Sequence, residues 1–284
     1  MGDERRDLEM GQSAAFRRRS IVESVGARLS RVLPDGALRR WLRGAYRGAI
    51  HLASGGRGIS AALPGGETVR LLAAYRYVTW NPAEYAAFRA AAKSGDIALD
   101  VGANAGAYAL LLGQWVRPGG RVFAFEPAPE TFTGLAEHVR LNGLESTVTP
   151  VRAAAAAHTG TAIFSVDGFS GANRLADAGD GERVETVTID DFCARENVRP
   201  SFIKIDVEGA ELDVLRGARQ TIRAAGDGLA LFVEMHPAIW PDLGITPAHV
   251  QAELDAQGLR AVPLRDDVGD IWALEGECLR LVRR

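Results

Sequence analysis

With 284 residues, 47% of them hydrophobic, the chain can bury one sizeable α/β core plus an appendage, or two small domains. A net charge of −3 leaves no nucleic-acid footprint. No window approaches a membrane-spanning apolar run, and Cys193 and Cys278 form no C-x-x-C pair, which argues against a disulfide framework or a cysteine zinc site. Charges begin at Asp3 with no apolar leader segment, so the expected location is cytoplasmic.

The charge is uneven: residues 1–53 carry a net +5 and the remainder a net −8. Residues 1–19 are polar and Arg-rich, and partial disorder is expected there. From Ile21 to Leu52 the pattern is helical, broken at Pro34-Asp35-Gly36. Leu38, Trp41, Leu42, Ala45, Ala49 and Ile50 share one face. Residues 1–56 thus read as a helical extension that docks on its own domain, with a lid over the active site as the alternative. Residues 57–96 lead into the core. Positions 59–72 alternate around Pro64-Gly65-Gly66 and predict a β-hairpin. Asn81 caps a helix with Pro82 at its first position. The aromatics between Tyr75 and Trp80 read as core, with a pocket wall as the alternative.

From residue 97 to 284, strands and helices alternate. Strand Ile97–Val101 precedes helix Ala107–Val116; strand Arg121–Glu126 precedes helix Glu130–Leu141; strand Thr147–Arg152 follows. A second hairpin is expected over 153–166, turning at Thr159-Gly160, then a mobile loop over 167–182 and a strand Arg183–Ile189 before a helix capped by Asp190. Strand Phe202–Asp206, helix Ala210–Arg216, strand Leu229–Met235 and a helix starting at Thr246-Pro247 complete the units. Two strands near 260–264 and 278–282 form an antiparallel edge. The alternation predicts an α/β fold with a doubly wound, mostly parallel sheet. Ligands bind such sheets outside the carboxyl ends of the strands. Asp100, Glu126, Asp206, Glu208, Glu234 and His236 all stand at such ends.

The first of these ends carries a glycine turn, Gly102-Ala103-Asn104-Ala105-Gly106. Strand, glycine turn and helix open a nucleotide-binding unit, and Glu126, at the end of the second strand, is placed to accept both hydroxyls of a ribose. The turn is G-x-N-x-G with no third glycine, which argues against a pyrophosphate across the helix start. A phosphate-free ribose cofactor fits better, and S-adenosylmethionine is the commonest. The competing readings are a nicotinamide-dependent oxidoreductase and a non-catalytic cofactor-binding scaffold.

Six segments together resemble the FkbM family of S-adenosylmethionine-dependent methyltransferases: Leu99-Asp100-Val101-Gly102-Ala103-Asn104-Ala105-Gly106, Phe125-Glu126-Pro127, Leu141-Asn142-Gly143, Thr188-Ile189-Asp190-Asp191-Phe192, the run from Ile203 to Glu211, and Val233-Glu234-Met235-His236-Pro237. They span about residues 97–240. The resemblance implies a seven-stranded, Rossmann-like class I methyltransferase fold. It further implies methyl transfer from S-adenosyl-L-methionine to the oxygen of a small-molecule hydroxyl, on a sugar, a polyketide or a related natural-product intermediate.

On this reading Asp100, Gly102, Ala103, Asn104, Gly106, Glu126 and Asp206 hold the cofactor. An aliphatic hydroxyl needs help losing its proton. His236, with a pKa suited to base catalysis near neutrality, and the acids Asp206 and Glu208 are the catalytic candidates. Asp206 and Glu208 alternate along a strand end, so only one is expected to face the pocket, with Glu208 capping the next helix. Phe169, Asn173 and Arg174, with Glu234, are assigned to the acceptor substrate. Asp206, Glu234 and His236 could supply hard metal ligands; no ligand spacing within one helix supports that, so no metal is assigned. No nucleic-acid or membrane partner is expected, and a homo-oligomer stays open.

Overall fold

The computed structural model describes residues 58–76, 78–166, 173–176, 181–272 and 276–284. The chain divides into two units, Met1–Ala53 and Ser54–Arg284, and the described residues all fall in the second. The expected amphipathic helix and lid, with Phe169, lie outside them. Among the described residues no helix is long and apolar enough to cross a membrane.

The hairpin forms as the alternation predicts: β1 (Ile59–Ala62) pairs antiparallel with β2 (Thr68–Leu71). Helix α1 (Pro82–Ala91) is capped by Asn81, whose Oδ1 accepts the Ala83 N–H at 2.9 Å, and Pro82 fills a position where no N–H is needed. The α/β units then run β3 (Ile97–Val101), α2 (Ala107–Trp115), β4 (Arg121–Phe125), α3 (Pro129–Leu141) and β5 (Val148–Val151). A second set follows: β6 (Ala154–Ala155), β7 (Gly160–Val166), β8 (Asn173–Ala176) and β9 (Glu182–Val187). The rest is α4 (Ile189–Glu196), β10 (Phe202–Ile205), α5 (Glu211–Gly217), α6 (Arg219–Ala225), β11 (Ala230–Met235), α7 (Pro247–Ala256), β12 (Leu259–Pro263) and β13 (Glu277–Arg283).

Seven strands form the central sheet in the order β12-β13-β11-β10-β3-β4-β5. Neighbours among β11, β10, β3, β4 and β5 pair parallel. β13 is antiparallel to both β11 and β12, so it sits inside the sheet and β12 forms the edge. The direction of winding reverses between β3 and β10, which opens a crevice above their carboxyl ends.

The segment between β5 and α4 differs from its sequence reading. β6 and β7 are not a hairpin: β6 pairs parallel with β9, and β7 pairs antiparallel with both β9 and β8. These strands make a separate four-stranded sheet, β6-β9-β7-β8. Part of the expected mobile loop is therefore a strand, β8. The cap of α4 is Thr188, whose Oγ1 accepts the Asp191 N–H at 2.9 Å. Asp190 serves the neighbouring helix instead, accepting the Gln220 and Thr221 N–H groups at the start of α6.

The central sheet separates two apolar layers. Leu99, Val101, Phe123, Ile203 and Val233 pack against Phe192, Leu212, Leu215 and Leu254 on one side. On the other, Ala98, Ala124, Phe202 and Phe232 pack against Phe88, Leu112, Leu135 and Val139. The hairpin is tied to this second layer by two polar residues of α3 and its end. The Leu72 N–H donates to His138 Nε2 at 2.7 Å, so Nδ1 carries the hydrogen and donates to the Ala105 carbonyl, also at 2.7 Å. Asn142 binds both backbone groups of Arg70, accepting its N–H at 2.7 Å and donating to its carbonyl at 2.8 Å. His138 is fully buried, and burial lowers its pKa.

Candidate active site

The carboxyl ends of β3, β4 and β10 frame a pocket, walled by Ala153 and by Ala154, Ala155 and Phe164 of the second sheet. Gly102, Asn104, Glu126, Asp206 and Glu208 line it together, so five predicted site residues converge there. Their sequence positions span more than a hundred residues; the parallel register, which sets Asp100 beside Lys204 and Val101 beside Ile205, brings them to one rim.

Gly102 has a positive φ of 81°, and a Cβ on it would lie 1.7 Å from the Asp206 carbonyl oxygen. The turn after β3 can approach the end of β10 only because this position lacks a side chain. Gly106 answers a different need: at φ 93° it starts α2, and a Cβ there would press on Leu135 at 2.6 Å. The turn also consumes its own N–H groups. Those of Gly102 and Ala103 donate to the Phe125 carbonyl, that of Gly106 to the Ala103 carbonyl, and that of Ala105 to Asn104 Oδ1. Ala103 and Gly106 lie outside the pocket lining.

Glu126 is buried at the rim, and its Oε1 accepts the Ala128 N–H at 2.9 Å and the Thr131 hydroxyl at 2.7 Å. It thus steadies the start of α3 while facing the pocket. Burial raises its pKa despite these hydrogen bonds. Asp206 and Glu208 both line the pocket, contrary to strand alternation. The reason is local: β10 ends at Ile205, and Glu208 turns into the left-handed region at φ 47°. The cap position of the next helix falls at Ala210, and Glu211 Oε1 accepts the Gly209 N–H at 2.8 Å.

Asp100 sits away from the other predicted site residues. Alternation along β3 sends Leu99 and Val101 to one layer and Asp100, with Ala98, to the other. There it is fully buried and outside the pocket lining, with Lys204 Nζ 3.8 Å from Oδ1 and no hydrogen bond to either oxygen. Burial raises its pKa, with Lys204 opposing. Lys204 Nζ also donates to Asp206 Oδ2 at 3.0 Å and stands 5.3 Å from the Tyr108 ring centre. Burial works against its charge, but Asp206 and Asp100 outweigh it and raise its pKa. Glu84 of α1 is buried near this group, and burial raises its pKa too.

Asp206 links the pocket to a second set of groups. His236 Nε2 is 3.9 Å from Asp206 Oδ1 and 3.7 Å from Glu234 Oε1. Its Nδ1 donates to Glu211 Oε1 at 2.7 Å, while Glu211 Oε2 accepts the Trp240 indole N–H at 2.9 Å. Glu211 is fully buried and received no role from the sequence. A signal was present: Val214 and Leu215, three and four positions on, are buried, so Glu211 lies on the inward stripe of α5. Burial alone would lower the His236 pKa, but the Glu211 hydrogen bond and the surrounding carboxylates raise it to about 9. Glu234 is pushed up to about 8 by burial and by Asp206. The direction of that shift favours the charged imidazolium over the neutral base that its ordinary pKa suggests. Asn173 and Arg174 lie on β8, paired with Val166 and Ser165.

The model of the methyltransferase FkbM domain family matches residues 100–261, which contain every pocket residue and the Glu211–His236 pair. Hexuronic acid methyltransferase AglP of Haloferax volcanii is 30% identical over 153 residues, covering 53% of this chain and 60% of that protein. The chain thus spans about three fifths of the curated relative it matches. Among solved structures, methyltransferase FkbM from Methylobacillus flagellatus KT aligns over 74% of this chain and 46% of its own, at 20% identity and a TM-score of 0.44. The O-methyltransferase from Bacillus cereus in complex with SAH aligns over 72% of this chain and 83% of its own, at 14% identity and a TM-score of 0.44. From Asp100 to Ala261 the match takes in the glycine turn, the acid at each strand end and the histidine behind them: the chain belongs to the FkbM methyltransferase family.

Proposed function

We propose that the chain transfers a methyl group from S-adenosylmethionine to a hydroxyl oxygen of a small, sugar-like acceptor. The observation that carries this reading is the charge of the pocket: among the residues whose side chains are described, the charged ones lining it are Glu126, Asp206 and Glu208, all acidic. Such a lining favours a cationic ligand and repels a pyrophosphate. The consumed N–H groups of the turn point the same way, since a phosphate would need them. Both features weigh against a nicotinamide dinucleotide.

When bound, S-adenosylmethionine supplies an electrophilic methyl group whose sulfur leaves as a neutral thioether. Glu126 is assigned the ribose hydroxyls, and the apolar wall of Ala153–Ala155 and Phe164 the base. Glu208 and Asp206 offer negative charge to the cationic end. Asp206 also borders His236 and Glu234, so the acceptor hydroxyl is assigned to that junction, where its oxygen bonds to the methyl carbon as the carbon–sulfur bond breaks and the Asp206 carboxylate takes its proton. AglP is named for a hexuronic acid, which supports a sugar-like acceptor.

Calorimetry with S-adenosylhomocysteine and with NAD tests the reading. Uptake of the first and not the second is expected; uptake of NAD alone would reverse the assignment.

A further inference from the structure

We propose that Asp206, Glu234 and His236 bind one divalent cation of the Mg²⁺ or Mn²⁺ type beside the cofactor pocket. One ligand atom from each of the three lies within 4.8 Å of the others. Metal bonds of about 2.1 Å set neighbouring and opposite ligands roughly 3–4.3 Å apart, and His236 Nε2 is 3.7 Å from Glu234 Oε1 and 3.9 Å from Asp206 Oδ1. The ligands come from the ends of two adjacent parallel strands, β10 and β11, which explains why no helical spacing announces them.

The surrounding shell fits independently of the three ligands. Metal-bound histidines almost always donate their second ring N–H to a carboxylate or carbonyl, which fixes ring and tautomer. Here the buried Glu211 accepts from Nδ1 at 2.7 Å and is itself held by the Trp240 indole and the Gly209 N–H. His236 is only 8% exposed, and its Nε2 makes no hydrogen bond among the described residues; it points between two carboxylates. Lys204 holds Asp206 by Oδ2, leaving Oδ1 toward His236. The ion takes the place of the Nε2 proton. Two carboxylates and one imidazole form a hard, oxygen-rich set with positions left for water or an acceptor oxygen.

The test uses the full chain, stripped with EDTA and titrated with Mn²⁺ under electron paramagnetic resonance, without turnover. One Mn²⁺ per chain is expected, with nitrogen hyperfine coupling in pulsed spectra. Glu234→Gln should weaken binding at least tenfold, and Glu211→Gln by roughly 10–100-fold. Circular dichroism confirms that each variant folds. Should Glu234→Gln not fold, the wild-type spectrum decides alone. No stoichiometric uptake, no nitrogen coupling, or unchanged affinity in a folded Glu234→Gln would each overturn the site. S-adenosylhomocysteine binding, measured in the same EDTA-treated sample, separates failure of the ion site from failure of the methyl-transfer reading.

Discussion

The α-carbon of Gly102 faces the carbonyl oxygen of Asp206 so closely that a methyl group between them would lie 1.7 Å from that oxygen. The first and fourth strands of the winding, β3 and β10, therefore meet backbone to backbone at the pocket floor. Gly102→Ala must move one of the two loops and also strain a positive φ. A loss of at least about 2 kcal/mol of stability is expected, together with weaker binding of S-adenosylhomocysteine. Urea unfolding and calorimetry check both, and wild-type values in each would refute the packing argument.

Glu126→Ala removes the carboxylate assigned to the ribose. Unpaired hydroxyls should cost about 1–3 kcal/mol, or roughly 5–150-fold in affinity for S-adenosylhomocysteine. Since Glu126 also holds the Ala128 N–H and the Thr131 hydroxyl, the melting temperature should fall modestly in the same variant. Unaltered affinity would remove the ribose assignment.

His138 makes stability depend on pH. Its folded pKa lies below the ordinary histidine value, so the folded state resists protonation. The contribution is complete above the unfolded pKa of about 6.5 and is lost as pH falls from there through the folded value, by up to about 1.4 kcal/mol per unit. Protonation would set a second ring N–H against the Leu72 N–H. Urea titrations at pH 8 and pH 5.5 should show this loss in the wild type and a smaller one in His138→Gln. Equal losses in both would locate the effect elsewhere.

Phe88 of α1 makes edge contacts with Tyr108, Phe202 and Phe232 at centroid separations of 4.9, 5.8 and 4.8 Å. Truncation to alanine should cost about 3–5 kcal/mol. A change below 1 kcal/mol in chemical unfolding would mean that α1 contributes little to the core.

The parts of this molecule legible in sequence are those written in short-range chemistry. Asn81-Pro82 announces a helix start, Pro64-Gly65-Gly66 a hairpin, and Gly102, Asn104 and Glu126 the lining of one pocket. Strand alternation failed where it was extended past a strand end, at Asp206 and Glu208, and succeeded where it was not applied, at Asp100. The small second sheet was misread because its defining pairing, β6 with β9, joins residues about thirty apart through two rungs. The protonation of His236 could not be read from its own neighbours in sequence. It depends on Glu211, brought to it only when α5 packs on the end of β11.

β13 follows β12 in the chain but lies between β12 and β11 in the sheet. Its placement ties the last two strands to one another: residues 259–263 reach the sheet through residues 279–283, and residues 277–281 cover the flank of β11. Without β13 that flank would be an open edge able to accept any extended peptide.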